Sequence, residues 1–272
     1  MAVDRRDSSA ALTGGASYPS LRGRSVFITG GGSGIGACLT ESFARQGSLV
    51  AFVDIAEAPS QALVEKIEAA GLPRPWFRRT DVTDIPALQS AIRDAAKALG
   101  DFHVLINNVA SDDRHNFMDV TPEYYDARIA VNQRPAFFAI QAVTPGMKKM
   151  GGGSIINFGS NSYGAKGRNF PVYTTAKSSV IGLTRGLAAE LGEHRIRINV
   201  ITPGWIMTER QIEKWLTPEG ELEIRRNQVS SGACVNLGKS SSPVLLSSRN
   251  KVADVGSNSP SGATASNCST CR

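Results

Sequence analysis

The sequence predicts an α/β domain built on a doubly wound parallel sheet, and three observations carry that prediction. Short apolar runs alternate with helical stretches from about residue 21 to residue 201; several of those stretches close on a glycine; and a glycine-rich turn joins the first apolar run to the first helix. The runs read as strands are 25–29, 49–54, 76–80, 104–107, 154–158 and 197–201. Short apolar strands alternating with helices are what a parallel sheet covered on both faces requires. Gly47, Gly71 and Gly100 each follow a periodic apolar segment and mark the ends of helices. Right-handed crossovers then wind the chain onto both faces.

Such a Rossmann-like sheet binds its ligand beyond the carboxyl ends of the strands, so the residues there matter most. With 272 residues the chain is long enough for one domain of this kind. It divides into a polar leader, 1–20, a folded domain, 21–228, and an atypical tail, 229–272. The tail has no Phe, Trp or Tyr, is crowded with serine, and has few apolar anchors beyond Val244-Leu245-Leu246. It is expected to be poorly ordered.

Composition narrows the function classes. The formal charge of +6 owes half its excess to the tail, where Lys239, Arg249, Lys251 and Arg272 face Asp254 alone. Elsewhere there is no basic stripe with interleaved aromatics, so nucleic acid is not an expected partner. No apolar run reaches the roughly 20 residues of a membrane span, and the leader lacks the apolar core of a secretory signal. The cytoplasm is the expected location. Cys268 and Cys271 form a lone CxxC without a second pair, and neither His103, His115 nor His194 is placed to complete a zinc site. No metal is expected.

The first chemical motif is Thr29-Gly30-Gly31-Gly32-Ser33-Gly34-Ile35-Gly36 between the first strand and the first helix. Glycines there allow a tight turn and let a pyrophosphate approach the helix N-terminus, where free N–H groups favour anions. Asp54 ends the second strand. A carboxylate at that position accepts hydrogen bonds from the adenosine ribose and repels the extra phosphate of NADP, so NAD is the expected cofactor. Asp81-Val82 closes the third strand and Asn107-Asn108-Val109-Ala110 the fourth. Asn107 suits a bracing role at least as well, while Asn108 and Ala110 border the expected cofactor.

The second motif is Tyr173-Thr174-Thr175-Ala176-Lys177, with Ser160 thirteen residues upstream. Tyr173 and Lys177 are four apart and share one helix face. An ammonium beside a phenol lowers its pKa towards useful acid/base behaviour, and Ser160 can hold a substrate oxygen.

TGxxxGIG, the strand-end Asp, NNVA, Ser before YxxxK, and Pro203-Gly204 together resemble the short-chain dehydrogenase/reductase family over roughly residues 21–228. The resemblance implies Tyr173 as acid/base, Ser160 as substrate orienter, and Lys177 bound to the nicotinamide ribose. It implies Asn132 as holder of a proton-relay water, and Pro203, Gly204, Ile206 and Thr208 beside the nicotinamide. NNVA departs slightly from the family's usual NNAG. The segments 111–115 and 208–220, with Met147-Lys148-Lys149 and Asn157-Phe158-Gly159-Ser160, resemble the bacterial NAD-dependent aldose 1-dehydrogenases. That branch implies oxidation of a sugar at C1 to a lactone. Asp113, Arg114, His115, Asn161, Asn169, Trp205 and Gln211 are the substrate candidates, since a sugar needs charged and amide groups rather than an apolar slot.

Two other readings stay open: another secondary alcohol or ketone, such as a polyol or a 3-oxoacyl group, or an NAD-binding protein without turnover. The family implies a dimer or tetramer. The resemblance stops near Gln228, where the family's further helix, seventh strand and glycine-rich ending have no counterpart, as a reading-frame shift near codon 229 would produce.

Overall fold

The computed structural model describes residues 17–165, 168–206 and 208–217. The tail and most of the leader, with Cys234, Cys268 and Cys271, lie outside them. Six parallel strands form one sheet in the order β3-β2-β1-β4-β5-β6: β1 Ser25–Thr29, β2 Leu49–Asp54, β3 Trp76–Arg79, β4 Val104–Asn107, β5 Gly153–Phe158 and β6 Ile196–Ile201. Each predicted strand is present, with ends within one residue of those read from the apolar runs.

The helices are α1 Gly34–Arg45, α2 Glu57–Ala69, α3 Ile85–Leu99, α4 Pro122–Asn132, α5 Arg134–Lys149, α6 Ser162–Ala165, α7 Pro171–Gly192 and α8 Glu209–Trp215. The central strands β1, β2 and β4 are mostly apolar because side chains on both faces are buried, whereas the edge strands β3 and β6 carry Arg78, Arg79, Arg197 and Asn199 and are only partly buried. On one face Val26, Ile28, Val50, Phe52 and Ile106 pack against Leu39 and Phe43 of α1 and Ile67 of α2. On the other, Phe27, Val53, Leu105 and Ile155 pack against α3, α5 and Leu191 of α7. Gly47, Gly71 and Gly100 take φ of +76, +71 and +82, the left-handed conformations that end α1, α2 and α3.

This is a Rossmann-like fold. Strand order reverses between β1 and β4, and the loops leaving those two strands part there into a crevice. Among the described residues no helix is long and apolar enough to cross a membrane.

Candidate active site

The parallel strands deliver their carboxyl ends to one edge, where the loops enclose a cavity of about 900 Å³. Its first wall is the turn between β1 and α1. Gly30 and Gly34 have φ of +69 and +52. A Cβ at Gly36 would lie 1.7 Å from the Gly30 carbonyl oxygen, so α1 can begin this close to β1 only without a side chain there. Gly30, Ser33 and Ile35 line the cavity, with Gly34 and Gly36 forming the turn behind them.

Asp54 is held from both sides. Its Oδ2 accepts the N–H of Gly32 at 2.9 Å and its Oδ1 that of Ala56 at 3.0 Å, and the side chain borders the cavity. Arg79 stands opposite it in the β2–β3 register, its guanidinium 3.9 Å from Glu57. Asp81 and Val82 line the same end, Asp81 accepting the N–H and hydroxyl of Thr83 at 2.9 and 2.8 Å.

At the end of β4 the two asparagines diverge. Asn108 donates from its amide to the Gly30 carbonyl at 2.9 Å, tying β4 to the glycine turn, and lines the cavity together with Ala110. Asn107 points the other way and donates to Asn157 Oδ1 at 2.8 Å, while Asn157 donates to Thr184 Oγ1 at 3.0 Å. That chain braces β4 and β5 to α7.

The far end holds Ser160, Tyr173 and Lys177. Lys177 is buried, and its Nζ donates to the carbonyls of Val109 at 3.1 Å and Phe158 at 2.9 Å. Burial alone lowers its pKa to about 8. Burial also dominates Tyr173 and raises its hydroxyl above the ordinary 10; a hydrogen bond with Ser160 and the Arg114 guanidinium pull it down, and the Asp112 carboxylate pushes it up. The downward pull read from the YxxxK spacing therefore comes from Ser160 and Arg114. The Lys177 ammonium is directed at backbone carbonyls instead.

Asn132 lies behind the wall. Its Oδ1 accepts the N–H of Ser111 at 2.8 Å, and its Nδ2 donates to the carbonyls of Ser111 and Arg128, each at 3.0 Å. Pro203, Gly204, Trp205, Ile206 and Thr208 form the wall that leads from β6 into α8.

Of the substrate candidates, Asp113, Arg114, Asn161, Trp205 and Gln211 line the cavity. His115 and Asn169 do not. The His115 ring turns towards the start of α7, and Asn169 is exposed with φ +67. Asp113 joins three elements: it accepts Ser111 Oγ at 3.0 Å, Arg128 at 2.7 Å and Arg210 at 2.8 Å. Burial would raise its carboxyl, but Ser111, Arg210 and Arg128 together bring it below the usual range. Asp112 accepts Gln211 Nε2 at 2.6 Å, so both acids fasten α8 across the cavity mouth. Arg114 lies over Phe170 at 4.2 Å, Trp215 at 5.1 Å and Trp205 at 5.9 Å.

The sequence reading does not single out Asp112, Phe170, Arg128 or Arg210 as site residues. Phe170 carries a legible signal, three residues before Tyr173. Arg128 and Arg210 carry none, because they meet Asp113 across 15 and 97 residues of chain.

A sequence model of the family described as short chain dehydrogenase matches residues 24–218. The chain belongs to that family. The dehydrogenase is 48% identical over 218 residues to D-xylose 1-dehydrogenase of Caulobacter vibrioides, covering 80% of this chain and 86% of that protein. It is equally identical over 211 residues to a Rhizobium meliloti protein named "Probable galactose dehydrogenase GalD", covering 78% and 82%. Its fold resembles that of 7α-hydroxysteroid dehydrogenase complexed with NADH and 7-oxo glycochenodeoxycholic acid, with a TM-score of 0.80, 28% identity, and coverage of 85% of this chain and 90% of the other. This dehydrogenase is thus a nicotinamide-dependent oxidoreductase.

Proposed function

We propose that the dehydrogenase oxidises an aldose at C1 to the lactone with NAD, Tyr173 being the acid/base. The observation that carries this reading is the placement of Tyr173 and Ser160 in one cavity with Asp112, Asp113, Arg114, Asn161 and Gln211, polar side chains that a ligand there would meet beside Phe170 and Trp205. Several hydroxyls find hydrogen-bonding partners among such side chains, and an apolar substrate does not. The 48% identity to proteins named for D-xylose and galactose supports a sugar.

The residues present fit a dinucleotide, since Gly30, Ser33 and Ile35 of the turn, Asp54 and Lys177 line one continuous cavity of about 900 Å³. Asp54 would accept from the adenosine ribose, and Lys177 would donate to the nicotinamide ribose with an N–H its two carbonyls leave over. Asp81 and Val82 would border the adenine, and Pro203, Gly204, Ile206 and Thr208 the nicotinamide. When bound, NAD accepts the hydride released from C1. Ser160 holds the C1 oxygen, and the Tyr173 phenolate takes the hydroxyl proton as the C–H bond breaks, leaving the carbonyl of the lactone. Asn132 fixes the loop at Ser111 through two bonds to its backbone and is itself tied to Arg128 of α4 by a third.

NADH formation from NAD with D-xylose, L-arabinose, D-galactose and L-fucose, repeated with NADP, tests this reading. Turnover with at least one sugar and a preference for NAD are expected; absence of turnover on all four, by enzyme shown to bind NAD, overturns the sugar assignment. Asp54→Ala tests the cofactor assignment. Removing a fixed carboxylate removes the repulsion of a ribose phosphate, and Arg79 stands beside it to accept one. The NAD:NADP ratio of kcat/KM is expected to fall by about 100-fold, since like charges in contact cost several kcal/mol. An unchanged ratio would mean that Asp54 does not face the ribose. Exposed Phe117, Met118 and Phe137 are apolar surface of the kind a homo-oligomer covers.

A further inference from the structure

Helix α7, which carries Tyr173 and Lys177, begins without a cap of its own. Its N-cap residue is Phe170, whose side chain has no acceptor, and its first residue is Pro171, which has no N–H. The Val172 N–H is then the first donor the helix must satisfy, and it immediately precedes Tyr173. Its acceptor is Nε2 of His115 at 3.3 Å, reached across 57 residues from the loop after β4. The backbone of His115 makes a second tie, donating its own N–H to the Asn169 carbonyl at 2.8 Å. The loop therefore grips the start of α7 on both sides of Phe170.

The surroundings set the tautomer. With Nε2 accepting, the proton of the neutral ring resides on Nδ1, which lies 3.0 Å from the Asp113 carbonyl and 3.0 Å from the Tyr124 hydroxyl. A carbonyl only accepts, so Nδ1–H donates to it. The Tyr124 ring packs at 5.0 Å from the imidazole. The Asp113 carboxylate is meanwhile clamped by Arg128 and Arg210. The ring is thus held from three sides, by Val172 of α7 at Nε2, by the Asp113 carbonyl at Nδ1 and by Tyr124 of α4.

We propose that His115 is the positioning residue of Tyr173, capping α7 from another part of the chain and seating the phenol against Ser160. The proposal rests on the reading of Tyr173 as acid/base. It explains why His115 sits beside the site without lining the cavity: it acts on the helix, and the helix places the reacting oxygen. Without the acceptor the first turn frays, and a displacement of about 1 Å at a reacting group costs on the order of 100-fold in rate.

His115→Met and His115→Gln form the test, because the two side chains are similar in length and only glutamine offers an oxygen near the place of Nε2. H115M is expected to lower kcat by about 10- to 100-fold, with the sugar KM and the NAD Kd changed less than about threefold, and H115Q to recover most of the loss. Amide hydrogen exchange of the segment 170–176 is expected to quicken in H115M and stay near wild type in H115Q, which reads the cap whether or not a sugar is turned over. If H115M does not fold, His115→Phe keeps the ring against Tyr124 and takes its place. Wild-type kcat in H115M, or equal losses in both variants, would overturn the proposal. Tyr173→Phe run alongside separates the two ideas: full activity there removes the acid/base assignment and the inference with it. Loss of activity in Y173F while H115M matches wild type removes the inference alone.

Discussion

Tyr173→Phe is expected to lower kcat for sugar oxidation by about 1,000-fold, within the range that a positioned acid/base supplies, while NAD affinity and thermal stability stay near wild type. The phenyl ring keeps the packing of the half-buried side chain, including its edge contact with Phe170 at 6.1 Å between ring centroids, and only the hydroxyl is lost. Steady-state kinetics with calorimetric NAD titration checks both halves. Retention of more than a tenth of the activity would exclude Tyr173 as the base. The same assignment fixes a pH dependence. Burial raises the Tyr173 pKa, so at neutral pH the phenol is mostly protonated and the oxidising base is its minor ionised form. Oxidation should therefore accelerate with rising pH, towards tenfold per unit below the pKa, and slow as pH falls. Arg114 favours the ionised form, so removing its charge would displace that rise to still higher pH.

Much of the fold was legible because it rests on local signals. Gly47, Gly71 and Gly100 mark the helix ends by a conformational need that other residues meet poorly, and the apolar runs mark the strands, of which the central ones are buried on both faces. The last residue of β3 was not, since Thr80 continues the pattern and donates to the Asp54 carbonyl at 3.0 Å just beyond the strand end. In the site, Tyr173 and Lys177 were legible as a pair because helix periodicity puts them on one face. The direction of the Tyr173 shift was not: spacing shows that a lysine is near, whereas burial and the carbonyls of Val109 and Phe158 decide where its charge goes. His115 shows the same limit. Its place among polar loop residues suggests a sugar contact, yet its ring nitrogen meets a backbone N–H far along the chain, and no local pattern encodes that meeting. Arg114 was legible as a polar side chain in the right loop, but its stacking on Phe170, Trp205 and Trp215 joins three separate segments.

Lys177→Met separates the energetic cost of the site from its use. The ammonium is buried and its pKa falls from 10.5 in the unfolded chain to about 8 in the folded one. Below pH 8 both states hold the proton, and burial of the charge destabilises the fold by roughly 3 kcal/mol. Between pH 8 and 10.5 the unfolded chain keeps a proton that the folded protein has released, so this penalty is relieved as pH rises, by roughly 1 to 2 kcal/mol per unit. Methionine carries no charge and lacks that relief, but it strands the carbonyls of Val109 and Phe158, each at a cost of about 1–3 kcal/mol. The two effects oppose one another at pH 7, so the variant's stability there decides little. The decisive quantity is the difference between wild type and K177M across the alkaline range, in which all other titrating groups cancel. Denaturant unfolding at pH 7.5, 9 and 10 is expected to show wild type gaining on K177M by roughly 2 kcal/mol over the window, while kcat/KM of the variant is lower by about 100-fold or more at every pH, in line with the loss of a positioning group. A pH-independent difference would mean that the ammonium is better solvated than its position implies. An active K177M would mean that the buried charge serves the fold and not the reaction, which is hard to reconcile with a charge whose burial weakens the fold.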